Sequence, residues 1–117
     1  MATKKTALFA FNGEPMCFVH VLLNALDLNK KGYEVKIVVE GTATKTLPDI
    51  AQEKNPLFGL YKDARDLGLF DGACKACSGK MGTAEEIRRL GIRLLDEMKG
   101  HPGIARYRED GFEIITF

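Results

Sequence analysis

Cys74 and Cys77 form a Cys-x-x-Cys pair in the run Gly72-Ala73-Cys74-Lys75-Ala76-Cys77-Ser78-Gly79-Lys80. Thiols are the one functional group in this chain that can do covalent chemistry without a cofactor. A thiol becomes a useful nucleophile when it ionises, and nearby cations and a helix N-terminus both favour the thiolate. Lys75 and Lys80 bring cations close in sequence. Unpaired cysteines in a glycine-rich, lysine-containing turn are poor core material. The pair therefore points to sulfur, redox or metal chemistry.

The remaining reactive side chains are few. Cys17 lies among apolar residues, where a free cysteine is commonly a small buried hydrophobe. His20 falls inside a helical pattern and reads as a solvated or satisfied histidine. His101 precedes Pro102 at a helix start, a place for a cap, a surface residue or a site residue. Asn12, Gly13 and Glu14 follow the first apolar run, and Lys99 lies two positions before His101.

The elements that must position these groups are legible in outline. Thr6 to Phe11 is a nearly continuous apolar run, as in a strand buried on both faces. Met16 to Lys31 follows a helical pattern, with Phe18, Val21, Leu22, Ala25, Leu26 and Leu28 at three- and four-residue steps. Pro15 suits its first turn, and Gly32 its end. Tyr33 to Glu40 is a second strand. These three pieces make a βαβ unit. Thr44 to Lys54 reads as a helix begun or interrupted near Pro48, and Leu57 to Leu67 as another. Leu69 to Ala76 is a weaker third strand. Thr83 to Leu90 is a helix with a capping-box signature, Thr83 followed by Glu86. Ile92 to Leu95 is a short fourth strand, with Gly91 weighing against a helix continued through it. A short helix runs to about Arg108. Phe112 to Phe117 is the last strand.

Strands alternating with helices predict a three-layer α/β/α domain with a five-stranded, mainly parallel sheet, occupying residues 1–117. In such a sheet, ligands bind beyond the carboxyl ends of the strands. The expected loops at that edge hold Asn12 with Cys17, then Cys74, Cys77, Ser78 and Lys80, then Lys99 and His101. Strand order does not follow from the sequence. Cys17 is placed to face Cys77 if the first and third strands are neighbours.

Bulk properties bound the function. The chain has 117 residues, enough for one domain with its own core. Seventeen basic and sixteen acidic residues leave a net charge of +1, without the basic excess of an electrostatic nucleic-acid binder. No apolar stretch approaches the roughly 20 residues of a membrane span, and no secretory leader is visible. Three cysteines, an odd number, do not suit a secreted disulfide framework. The expected location is the cytoplasm, with neither nucleic acid nor membrane as partner.

Certain segments carry a family likeness. They are Leu8-Phe9-Ala10-Phe11-Asn12-Gly13, Gly72-Ala73-Cys74-Lys75-Ala76-Cys77 with Met81-Gly82, Leu90-Gly91-Ile92, Gly100-His101-Pro102 and Gly111-Phe112-Glu113-Ile114-Ile115-Thr116-Phe117. With them the chain resembles the DsrE/DsrF-like sulfur-relay proteins, small α/β domains of the YchN-like type, over nearly its whole length. The cysteine loop and the closing segment are its more specific parts. The resemblance implies a sulfur carrier or sulfurtransferase-like protein. A cysteine after the third strand takes sulfane sulfur as a persulfide and hands it to a partner thiol. It also implies homo-oligomers, often trimers or hexamers, and partner proteins that donate and accept sulfur. Cys77 matches the carrier position, while Cys74 departs from members with a single cysteine there. Cys74 is then a resolving thiol or a buried neighbour. Asn12, Ser78, Lys80, His101 and Cys17 are the expected substrate-binding residues.

Rival readings use the same residues. Cys74 and Cys77 could be the attacking and resolving thiols of a redox or sensor protein. Cys74, Cys77 and His101 could hold a metal with one open position. With no second Cys-x-x-Cys, a closed zinc site within one chain is not expected. No organic cofactor is called for. A last alternative keeps the fold as a non-enzymatic oligomeric protein.

Overall fold

The structure is a computed structural model that describes residues 3–117. Five strands form one sheet in the order β4-β3-β2-β1-β5, and every pairing is parallel. The strands are β1 (Lys5–Ala10), β2 (Glu34–Val39), β3 (Phe70–Cys74), β4 (Leu94–Leu95) and β5 (Glu113–Thr116). The helices are α1 (Pro15–Lys30), α2 (Ala43–Ile50), α3 (Phe58–Asp66), α4 (Lys75–Met81), α5 (Ala84–Arg89) and α6 (Ile104–Glu109).

The two central strands are apolar on both faces, as their sequences require. Ala7 to Ala10 of β1 and Ile37 to Val39 of β2 are fully buried. On one face Leu8, Ala10, Ile37 and Val39 meet Phe18, Val21, Leu22 and Ala25 of α1, Leu47 of α2, Tyr61 and Ala64 of α3, and Ile87 of α5. On the other face Ala7, Phe9 and Val38 meet Tyr107 of α6 and Phe112. The domain is thus three-layered, with α6 on the face opposite α1.

Several expected boundaries move, each for a physical reason. Strand β3 ends at Cys74 rather than Ala76, and α4 replaces the expected turn. Its start is fixed by the Cys77 N–H, which donates to Cys74 Sγ at 3.3 Å, and by the Ala76 N–H, which donates to Gly100 O at 2.8 Å. These bonds satisfy donors that a helix start leaves without partners. The fourth strand shrinks to Leu94–Leu95.

Thr83 precedes α5 as expected, but it makes no capping box. Its hydroxyl donates instead to Thr44 O at 3.0 Å. Pro48 lies inside α2 and has no N–H to offer the carbonyl four residues back, which is that of Thr44. Thr83 thus occupies the acceptor that Pro48 leaves free, and ties α5 to α2.

Strand β3 carries an irregularity opposite Ile37 and Val38, which pair with Phe70 and Gly72. Asp71 is the extra residue, and a bulge of this kind re-aims a side chain. Here it aims Asp71 at the Tyr107 hydroxyl, at Arg93 (2.9 Å), and at Arg106 (3.5 Å).

Candidate functional site

The strand order decides which groups meet. Strands β2, β3 and β4 are consecutive in the sheet, so the segments leaving their carboxyl ends share one side. Val39 pairs with Ala73, and the next step along each strand gives Glu40 and Cys74. Cys74 is also paired with Leu95 of β4. The segment after β4 then returns His101 to the same spot.

Cys74 is fully buried at the strand-to-helix junction. Its Sγ lies 3.1 Å from His101 Nδ1 and 3.7 Å from Gly100 O. Cys77, in the first turn of α4, is half-buried, with Sγ 3.8 Å from the same Nδ1. Glu40 is 6% exposed. One ligand atom from each of Glu40, Cys74, Cys77 and His101 lies within 4.8 Å of the other three.

His101 is placed by a tight turn. Met98 and His101 exchange backbone hydrogen bonds at 2.7 and 3.0 Å, and the two residues between them both have positive φ, Lys99 at 51° and Gly100 at 91°. That is the dihedral demand of a two-residue hairpin, met cheaply by glycine and at a cost by lysine. The Gly100 carbonyl is in turn gripped by the Ala76 N–H, which ties the turn to α4.

The electrostatics follow from burial. Loss of water pushes the Cys74 thiol up to about 12, helped by the neighbouring Cys77 thiol and opposed by the Cys77 N–H that donates to its sulfur. Burial likewise raises the Glu40 carboxyl to about 7, and the negative charge of Glu97 adds to this. None of the ion pairs formed among the described residues involves Glu40.

Of the residues expected at the site, Cys74, Cys77 and His101 come together. The others take different places. Ser78 is buried and donates its hydroxyl to Cys74 O at 2.6 Å, so it braces the junction from behind. Lys80 is exposed in the last turn of α4. Lys75 reaches the Asp96 carboxylate at 3.5 Å. Asn12 is exposed, and its side chain accepts the Glu14 N–H at 2.9 Å. Cys17 is half-buried in the first turn of α1, outside the four-residue cluster. Strand β2 separates β1 from β3, so the neighbour relation needed to bring Cys17 to Cys77 does not exist.

Glu40 is the residue the sequence reading missed. Its signal was a carboxylate at the carboxyl end of the apolar run Val38-Val39, immediately before Gly41. That is the edge where a parallel sheet presents ligand-binding groups.

Among the described residues, no helix is long and apolar enough to cross a membrane. No family model matches the chain. The fold is similar to that of BT1422, a conserved protein of unknown function from Bacteroides thetaiotaomicron. The TM-score is 0.71 with 21% identity, covering 97% of this chain and 94% of that one. That likeness concerns the fold alone. A stretch of 44 residues, 38% of this chain, is 48% identical to an uncharacterized protein of Archaeoglobus fulgidus, of which it covers 72%. A longer match of 97 residues is 33% identical to the uncharacterized protein MJ0733 of Methanocaldococcus jannaschii, covering 83% of this chain and 77% of that protein. By that identity and coverage, the chain belongs to the family of MJ0733.

Proposed function

We propose that the protein is a cytoplasmic sulfur carrier of sulfurtransferase type, with Cys77 as the carrier thiol. One observation carries this reading. The half-buried Cys77 sulfur sits 3.8 Å from His101 Nδ1, beside a second thiol that is fully buried. Cys77 is the member of the pair a donor can reach.

The chemistry balances without a cofactor. The Cys77 thiolate attacks the outer sulfur of a donor persulfide, R–S–SH. The donor sulfur–sulfur bond breaks, the donor leaves as a thiolate, and Cys77 carries –S–SH. An acceptor thiolate then attacks that terminal sulfur and releases Cys77. Cys74 offers a second route. Its thiol can attack Cys77 Sγ and expel the terminal sulfur, which takes the thiol proton and leaves as hydrogen sulfide; the resulting disulfide is reduced by a further thiol. The resemblance to DsrE/DsrF-like proteins supports the same reading and adds homo-oligomers, trimers or hexamers, as the working form. Light scattering on the eluting protein tests the assembly.

Intact mass after exposure to a persulfide donor tests the transfer. The expected result is a gain of one sulfur, about 32 Da, removed by a reductant. Cys77→Ser abolishes the gain. An adduct that survives Cys77→Ser but is lost in Cys74→Ser assigns the carrier to the wrong thiol. No adduct on the wild type rejects the reading.

A further inference from the structure

We propose that Glu40, Cys74, Cys77 and His101 form a four-ligand site for a thiophilic divalent cation of the zinc class. The inference does not rest on the sulfur-carrier reading. Three adjacent strands deliver the four groups, and their ligand atoms lie mutually within 4.8 Å. With zinc–sulfur bonds of about 2.3 Å and zinc–nitrogen bonds of about 2.0 Å, tetrahedral geometry sets a sulfur and a nitrogen ligand about 3.5 Å apart. The two sulfurs lie 3.1 and 3.8 Å from His101 Nδ1, on either side of that value. Only small shifts are needed to seat an ion between them.

The chemistry of the donors selects the ion. Two sulfurs and an imidazole suit zinc and its neighbours, and do not suit magnesium or calcium, which prefer oxygen shells. Cys-x-x-Cys is the spacing with which a chain commonly offers two thiolates to one zinc. The Cys77 N–H already donates to Cys74 Sγ, a bond that disperses charge on a ligated thiolate. Glu40 adds the strongest hint. The residue is 6% exposed and its carboxyl lies outside every ion pair formed among the described residues, so its oxygens are free to ligate and lack a counter-charge. A divalent cation supplies it. Glu40 thereby stands in for the second Cys-x-x-Cys that a closed site would otherwise require.

The site closes the coordination sphere with protein atoms alone. Loading exchanges the two thiol protons for the metal and occupies the Cys77 sulfur. The metal-bound and sulfur-accepting forms therefore exclude one another.

Cobalt(II) titration of the reduced, chelator-treated protein under argon is the direct test. One equivalent per chain is expected to give thiolate-to-cobalt charge-transfer absorption and the intense visible bands of tetrahedral cobalt, both bleached by one equivalent of zinc. Glu40→Gln should keep the charge-transfer band and weaken cobalt binding by at least the ~10–100-fold that outer-shell changes already cost. X-ray absorption of the zinc-loaded wild type needs no variant to fold, and should show two sulfur and two nitrogen or oxygen neighbours. Absence of the charge-transfer band, one metal per two chains, four sulfur neighbours, or unchanged affinity in Glu40→Gln overturns the proposal. The persulfide mass assay runs on metal-free protein, so either reading can fail while the other stands.

Discussion

His101 Nδ1 lies 3.1 Å from Cys74 Sγ although 27 positions separate the two residues. The contact depends on backbone at both ends. Cys74 is fixed as the last residue of β3 and the cap of α4, and His101 as the exit of the Met98–His101 turn. Apart from the Ser78 hydroxyl on Cys74 O, the bonds that set these two positions are backbone ones, so the site should respond most to changes in backbone conformation.

Gly100→Ala tests that dependence. Gly100 has φ 91°, and an added Cβ would lie 3.2 Å from Ala76 Cβ. A left-handed conformation without glycine costs about 1–3 kcal/mol. The contact with Ala76 adds pressure against the first turn of α4. Urea unfolding should show a lower midpoint with an unchanged slope. The His101 imidazole resonance should also shift, because the ring loses its fixed place between the two sulfurs. An unchanged midpoint and resonance would mean that the turn does not position His101.

Gly72→Ala should open the same site from the sheet. A Cβ at Gly72 would fall 2.6 Å from Leu95 Cγ and 2.9 Å from Arg93 O. The backbone oxygen cannot rotate away, so β4 must move from β3, and the His101 segment moves with it. Overpacking of this kind costs about 1–3 kcal/mol. The diagnostic outcome is hydrogen exchange. The Ala73 amide, which donates to Arg93 O at 3.0 Å, should lose protection while the Phe9 amide in β1 keeps its own.

Much of this architecture was legible in the sequence. The apolar runs of β1 and β2 and the stripe of α1 read directly, because strands buried on both faces and an amphipathic helix leave strong periodicity. Helix α4 left none. Of its residues only Ser78 is buried, so no apolar stripe marks it, and its start is set by Cys74 and Gly100 through tertiary contacts. The thiols and His101 stood out by residue type. Glu40 did not, being one of sixteen acidic residues. Its importance comes from strand order, which places β2 beside β3, and strand order is set by packing rather than by local pattern.

Asp71→Asn should destabilise the fold in a pH-dependent way. Burial alone would raise the Asp71 carboxyl, but the Tyr107 hydroxyl and the Lys36 and Arg93 charges outweigh it. They hold the group below the usual carboxylate range. A carboxyl lowered on folding stabilises the native state above its unfolded pKa, and that contribution disappears as pH falls through the folded value. Near neutral pH the variant should lose about 1–3 kcal/mol, the scale of hydrogen bonds to a buried charge. The gap between wild type and variant should close on acidification below the ordinary aspartate range. A gap that stays constant with pH would show that shape, not charge, accounts for the loss.

Alkylation distinguishes the two thiols of the pair. Cys74 is fully buried, and burial pushes its thiol up to about 12, so near pH 8 it stays protonated. Cys77 is half-buried and open to solvent on one side. Brief iodoacetamide treatment of the metal-free native protein, followed by peptide mapping, should therefore label Cys77 and spare Cys74. In urea both should react alike, which shows that the fold and not the local sequence separates them. One equivalent of zinc should then protect Cys77 in the native protein, since coordination draws charge from the sulfur and lowers its nucleophilicity. Preferential labelling of Cys74 would reverse the roles given to the two thiols. Labelling of Cys77 at an unchanged rate with zinc present would exclude it as a metal ligand.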